Sequence, residues 1–302
     1  MPATATATAA PLVEASAAER FAFDLQGFIV LRGVLTRPEC DSLAAAVRRL
    51  EDAPRDDDAW RARLRPENRA AAAPTRWEQA AFGVRMNGLL RLDPIFHALI
   101  DHPRVLPLLR SFMDRPQLIN TWSIAKRGGT GDNGWHRGAS PLSYWCRDGQ
   151  IRTTMLNVVW FLSRNGPEDG CMMIAPGSHK SGLALLSEGS ERIPVLPGGH
   201  DFDYHDPRYA RLALPGSTIV NAEPGDVLLM SESVLHGGLP RTTPGVRTNL
   251  YFNHLEAVRA TALVEPGNMR HFWLPETMRA AMTPTQREVT AWMEYARYEL
   301  DE

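Results

Sequence analysis

The chain has 302 residues and a mass of 33.6 kDa, and its 33 Lys+Arg against 35 Asp+Glu leave a formal net charge of −2, which excludes a polyanion binder held by bulk charge. With 44% hydrophobic and 23% charged residues, disorder over most of the chain is excluded as well, and the length suffices for a sizeable core. Cys40, Cys146 and Cys171 are far apart with no C-x-x-C, and there is neither a signal-peptide pattern nor an apolar run long enough to span a bilayer, so a cytoplasmic protein without disulfides or a membrane span is expected.

Residues 1–16 are small and polar without hydrophobic period, and are expected to form a disordered tail ahead of one domain over 17–302. The run Gly27-Phe28-Ile29-Val30-Leu31 predicts a buried strand, and Thr36-Arg37-Pro38-Glu39 is a capping box that opens a helix through Leu43, Val47 and Leu50. Charges and alanines between Asp52 and Pro74 predict a mobile connection. Ile95, Leu99, Val105, Leu108, Leu109 and Phe112 recur at helical spacing around Pro103, which completes a helical part over 36–113.

From 117 to 255 the pattern changes to short apolar runs separated by Gly, Pro, Asn and Asp. The runs are Leu118–Ile124, Thr153–Leu162, Met172–Ile174, Val195–Leu196, Ser217–Val220, Val227–Met230 and Thr248–Phe252, and they predict antiparallel β structure as a sandwich or barrel. Glu223-Pro224-Gly225-Asp226 has Pro and Gly where a type II turn wants them and predicts a tight hairpin that aims the next strand at His236. A second capping box, Thr283-Pro284-Thr285-Gln286, starts a C-terminal helix over 283–300.

Two of the nine histidines stand in informative company. His136 lies in Gly134-Trp135-His136-Arg137-Gly138, and His236 lies in Leu235-His236-Gly237-Gly238 directly after an apolar strand. Arg247 follows His236 by eleven residues.

Together with Gly27–Leu31, Gly33-Val34-Leu35, the segment Asp169–Lys180 and the Pro224-Gly225-Asp226 turn, these residues resemble the phytanoyl-CoA dioxygenase-like branch of the iron(II)/2-oxoglutarate oxygenases. The fold that the resemblance implies is mainly β with flanking helices, a double-stranded β-helix or jelly roll of the cupin-like kind. It implies His136 and His236 as iron ligands, Arg247 as the clamp on the distal carboxylate of 2-oxoglutarate, and oxygen as cosubstrate. Lys126 and Asn249 are weaker candidates for the same cosubstrate; Trp160 is either a wall of its site or a core residue.

One position departs from the family. Hydroxylases of this kind carry Asp or Glu two residues after the first histidine, because residues i and i+2 of a strand share a face; here that residue is Gly138. The replacement resembles the halogenases of the superfamily, in which chloride binds iron where the carboxylate would be. It implies a halogenase that chlorinates an unactivated C–H bond of a free small molecule in natural-product biosynthesis, with Gly138 opening the halide site. Two further readings stay open: a hydroxylase whose third ligand is water or another carboxylate, Asp132 being nearest in sequence, and a non-catalytic relative that binds 2-oxoglutarate.

Other matches fail on context. Gly129-Thr130-Gly131-Asp132-Asn133-Gly134 fits G-x-G-x-x-G but precedes Trp135-His136 instead of opening a helix, and no H-E-x-x-H, G-x-S-x-G or P-loop sequence occurs. Trp135, Arg137, Tyr144 and Trp145 cluster around the first histidine, a composition suited to a flat, anionic small molecule such as a nucleotide. The resembled family includes enzymes that chlorinate free nucleotides such as dAMP. No nucleic-acid polymer or membrane partner is expected, and the sequence leaves the oligomeric state open. Segment 187–214 reads either as a lid or as a solvated insertion, with a second metal site at His200 and His205 disfavoured by the polarity of the loop.

Overall fold

The computed structural model describes residues 14–52, 77–80, 83–139, 141–181, 214, 216–257, 274 and 276–292. Most of the expected tail, the connection after Asp52, the run Val195–Leu196, nearly all of segment 187–214 with His200 and His205, and the end of the C-terminal helix lie outside the described residues.

Helix α1 (Ala17–Gln26) precedes β1 (Phe28–Leu31), and Ser16 with Glu19 forms a reciprocal capping box at its start. Ser16-x-x-Glu19 was legible in the sequence but falls in a composition that masks it. Residues 14–16, assigned to the tail by the sequence pattern, instead join the fold, with the Ala15 N–H donating to Ser111 Oγ. Helix α2 (Arg37–Asp52) opens on the expected box, with the Thr36 N–H donating to Glu39 Oε2 at 2.6 Å. The apolar spacing around Pro103 resolves into a 3₁₀ turn (Pro94–Leu99) and helix α4 (Leu106–Phe112), after the single turn α3 (Leu89–Leu92).

Strands β2 (Trp77–Ala80) and β3 (Gly83–Asn87) interrupt the part expected to be helical and pair onto β4 (Pro116–Arg127). Then come β5 (Asn133–His136), the hairpin β6 (Tyr144–Arg147) with β7 (Gln150–Thr153), β8 (Met155–Phe161), β9 (Met172–Ile174) and β10 (Thr218–Val220). The last strands are β11 (Val227–Ser231), β12 (His236–Gly238) and β13 (Val246–Glu256). They are followed by helices α5 (Glu276–Ala281) and α6 (Pro284–Val289). Thr283 and Gln286 cap α6 as the sequence predicts.

The major sheet has the order β1-β11-β8-β13-β4-β3-β2 and the minor sheet β10-β9-β12-β5, which makes a jelly-roll core. Alternation along the strands sorts side chains between two layers. Leu156, Val158 and Trp160 of β8 and Leu250 and Phe252 of β13 pack outward against the helices, where Phe23 stacks on Phe112 at 4.2 Å. Val159, Phe161, Leu228, Met230 and Tyr251 face inward and meet Met172 and Ile174 of the minor sheet.

The Glu223–Asp226 turn forms, with the Asp226 N–H on the Glu223 carbonyl at 3.1 Å and Gly225 at φ +95°. It is not a hairpin, because β10 pairs with β9 in the minor sheet and β11 joins the major one; the turn carries the chain between sheets. Buried Asp226 fastens it to the N-terminal segment by accepting from the Gly33 N–H (2.9 Å), the Glu223 N–H (3.0 Å) and Arg32 Nη1 (2.6 Å). Burial acts to raise its carboxyl pKa, but these donors outweigh it and hold the pKa below the ordinary 3.8. The contribution is thus complete above the unfolded value and lost as pH falls through the lower folded one. Asp226→Ala is expected to cost about 2–4 kcal/mol near neutrality, read as a lower denaturant midpoint, with the gap to wild type narrowing as pH falls below the ordinary 3.8.

Candidate active site

The β5/β12 pairing places His136 directly opposite His236, with ring centroids 4.3 Å apart, at one end of a pocket of about 270 Å³ between the sheets. Each imidazole is oriented the same way: His136 Nδ1 bonds the Gly134 carbonyl at 2.8 Å, and His236 Nδ1 bonds the Val234 carbonyl at 2.9 Å. With Nδ1–H so engaged, Nε2 of each ring is left with its lone pair, the tautomer a metal ligand needs. Burial pushes His236 down to about 4, and desolvation with the neighbouring imidazole lowers His136, so both rings are neutral at pH 7.

Inward-facing residues of β4 (Asn120, Trp122, Ile124, Lys126) and of β13 (Arg247, Tyr251, Asn253) line the pocket, and the register sets Asn120 opposite Asn253, Trp122 opposite Tyr251 and, at the other end, Lys126 opposite Arg247. Arg247 Nη1 donates to Asn165 Oδ1 at 3.0 Å, while Lys126 Nζ donates to the Leu239 carbonyl at 2.5 Å. Burial, reinforced by Arg247, lowers Lys126 to about 6. Among the described residues neither side chain has a carboxylate partner, and Arg247 Nε is a buried donor with no hydrogen bond, left for an anion. With Lys126 at about 6, the unliganded amine is largely neutral at pH 7, so Arg247 is the fixed cation here, and an anion bound beside it would draw the proton back onto Lys126. This end fits a dicarboxylate such as 2-oxoglutarate.

The expected open space beside Gly138 is not there. A Cβ built on Gly138 would overlap Glu232 Oε2 and lie 3.1 Å from Glu232 Cδ, so the room left by the missing side chain is filled by a carboxylate. Glu232 is buried after the end of β11, its Oε1 accepting from Asn157 Nδ2 at 2.7 Å and Asn253 Nδ2 at 3.4 Å. Its Oε2 lies 3.9 Å from His236 Nε2. Burial pushes the Glu232 carboxyl up, opposed chiefly by His136. The carboxylate beside Gly138 is therefore Glu232, not Asp132. Among the described residues no three His, Cys, Asp or Glu side chains converge closely enough, as they stand, to hold a metal ion; His136, His236 and Glu232 are neighbours whose donor atoms would have to draw together on one.

Several expected positions fall elsewhere. Trp160 is fully buried on the outward face of β8, one residue out of phase with the pocket, and packs on Phe252 and His102 instead of walling the cosubstrate. Asn249 is buried behind Arg247, its amide paired with that of Asn165 at 2.9 and 3.1 Å, so it supports the site without lining it. None of Trp135, Arg137, Tyr144 and Trp145 lines the pocket. Alternation turns Trp135 away from His136 into the layer of Met173 and Leu239; Tyr144 packs on Phe23 and His179 with its hydroxyl on Asp24, and Trp145 is exposed. The aromatic and arginine groups that do line it are Trp122 and Tyr251, stacked at 5.2 Å, with Arg85 4.6 Å above Trp122. Their signal was the period-2 spacing of Trp122 to Lys126 and of Arg247 to Tyr251, whereas Arg85 carried none.

A jelly roll with two neutral, in-register histidines at one end of its pocket and a buried arginine and lysine without carboxylate partners at the other is the architecture of a non-haem dioxygenase. The family model described as Phytanoyl-CoA dioxygenase (PhyH) matches residues 23–249, and the chain belongs to that family. Similar curated proteins are the ectoine dioxygenases of Nocardia farcinica, 25% identical over 81% of this chain and 78% of the relative, and of Sphingopyxis alaskensis, 24% identical over 91% and 89%. Among solved structures, HygX from Streptomyces hygroscopicus with nickel and 2-oxoglutarate bound superposes with a TM-score of 0.61 at 21% identity, covering 81% of this chain and 88% of HygX. The carbocyclase SnoK from nogalamycin biosynthesis gives 0.53 at 17% identity over 81% and 87%. No described helix is long and apolar enough to cross a membrane, and the three cysteines are separate thiols.

Proposed function

We propose that the protein is a non-haem iron(II)/2-oxoglutarate-dependent oxygenase acting on an unactivated C–H bond of a free small molecule. The observation that carries this reading is the pairing of His136 with His236, each with Nε2 left to a metal, across the pocket from the unpaired Lys126 and Arg247. His136 and His236 would hold iron, which when bound supplies oxygen activation coupled to oxidation of 2-oxoglutarate. Arg247, held by Asn165, would orient the distal carboxylate of the cosubstrate, and Lys126 would add a second positive charge. Cytoplasmic function is in keeping with the free thiols.

Whether oxygen or a halide reaches the substrate depends on what occupies the space beside Gly138. The Glu232 carboxylate in that space favours hydroxylation, because an anion such as chloride would have to displace a buried anionic group. Chlorination, the second reading, is favoured by Gly138 itself, which supplies no carboxylate after His136. For the substrate, the stacked Trp122 and Tyr251 with Arg85 above them suit a flat, anionic molecule, a nucleotide being one such. Neither a nucleic-acid polymer nor a membrane is proposed as a partner.

Anaerobic addition of iron(II), 2-oxoglutarate and then chloride, followed through the visible metal-to-ligand charge-transfer band, tests the proposal. A band that ignores chloride is the expected result. A band shifted by chloride would establish the halogenase reading in its place, and no band at all would refute the iron/2-oxoglutarate assignment.

A further inference from the structure

We infer that Glu232 is the third protein ligand of the metal site, a carboxylate delivered from the second histidine's loop to the position that Gly138 leaves empty of its own side chain. The inference rests on the iron reading above and deepens it.

Three independent contacts bring Glu232 to this place. The backbone clamps it, with the Gly138 and Ala139 N–H groups donating to the Glu232 carbonyl at 2.9 and 3.1 Å. Its side chain is aimed by Asn157 and Asn253, both of which hold Oε1 and so leave Oε2 turned to the histidines. Finally, its carboxylate occupies the volume a Cβ at 138 would need, so a side chain at 138 would push the Glu232 carboxylate from its present place. Glycine at 138 leaves that place to the glutamate, and no positive φ explains the glycine otherwise.

The chemistry agrees with the placement. A buried carboxylate fixed by two amides is costly unless a cation offsets it, and two neutral imidazoles plus one carboxylate form the donor set of a non-haem iron site. Glu232 and His236 are four residues apart across the end of β11, so one short segment would supply two of the three ligands, and β5 would supply only His136.

Manganese(II) binding, read from the loss of the free-ion EPR signal in the presence of 2-oxoglutarate, tests the assignment without reference to turnover. Glu232→Gln keeps the shape and one amide contact and is expected to weaken Mn(II) at least ~30-fold, while Glu232→Ala combined with Gly138→Asp returns the carboxylate to the first strand and is expected to regain most of the loss. Circular dichroism of the metal-free proteins identifies a variant that fails to fold; the double variant then carries the test by itself, and its binding no better than Glu232→Ala counts against the assignment. Wild-type affinity in Glu232→Gln overturns the assignment alone. A wild-type protein that takes up no Mn(II) overturns the iron reading as well, so the two failures are told apart.

Discussion

Replacing His236 with alanine is expected to reduce succinate formation from 2-oxoglutarate by roughly 1000-fold or more. Its imidazole is buried, neutral and fixed through Nδ1 to the Val234 carbonyl, so no neighbouring side chain can take its place at Nε2. His136→Ala should do the same, because the two rings face one another from directly paired residues. The effect on folding should be small by comparison. The metal-free ring gives one hydrogen bond to a carbonyl, whose loss costs about 1 kcal/mol. Measuring turnover, Mn(II) binding and thermal midpoint on the same preparations separates the cases. Retained turnover in His236→Ala with an unaltered midpoint would remove this residue from the site.

The sequence made the site legible in proportion to how local its signals are. His136, His236, Arg247 and Lys126, which the family resemblance singled out, line one pocket, and each lies in a short motif or on an apolar strand whose alternation orients it. The turn at Glu223–Asp226 was also read correctly as a turn, but its partner strand was not: local chemistry specifies the reversal, whereas which sheet receives each arm depends on contacts far apart in sequence. Trp135 and Trp145 were drawn to the substrate by proximity to His136 in the chain. Alternation and exposure send them elsewhere, while Trp122 and Tyr251, 129 residues apart, meet through the β4/β13 register.

Gly138 shows the same limit most sharply. A glycine where a carboxylate is expected reads as open space when only its own strand is considered. The structure fills that space from residue 232, a charge set between the apolar strand β11 and His236. A glutamate in such a run was itself a signal, since a carboxylate in an apolar interior must have a partner. Strands β2 and β3 escaped for a different reason, as short strands of mixed composition at one margin of the sheet, β2 forming its edge, carry little period-2 pattern.

Arg247→Met is expected to act in opposite directions on cosubstrate binding and on the stability of the unliganded protein. The affinity for 2-oxoglutarate should fall by about 2–4 kcal/mol, roughly 30- to 1000-fold, because a buried charge-assisted contact to a carboxylate is removed. The unliganded fold should lose nothing and gain about 1 kcal/mol, since methionine has a similar volume and the mutation removes a buried guanidinium that has no carboxylate partner among the described residues. The lost bond from Nη1 to Asn165 opposes that gain. Lys126 supplies an independent check. Burial, with Arg247 adding to it, holds Lys126 near 6, well under 10.5, so between those values the unfolded chain binds more protons than the folded one, and stability rises with pH. Removing Arg247 takes away the second of these causes and should shift upward the pH at which that rise begins without abolishing the rise, because burial remains. Thermal midpoints measured with and without 2-oxoglutarate across pH 6–9 contain all three effects. An Arg247→Met protein stabilised by 2-oxoglutarate as strongly as wild type would show that the cosubstrate carboxylate lies elsewhere in the pocket.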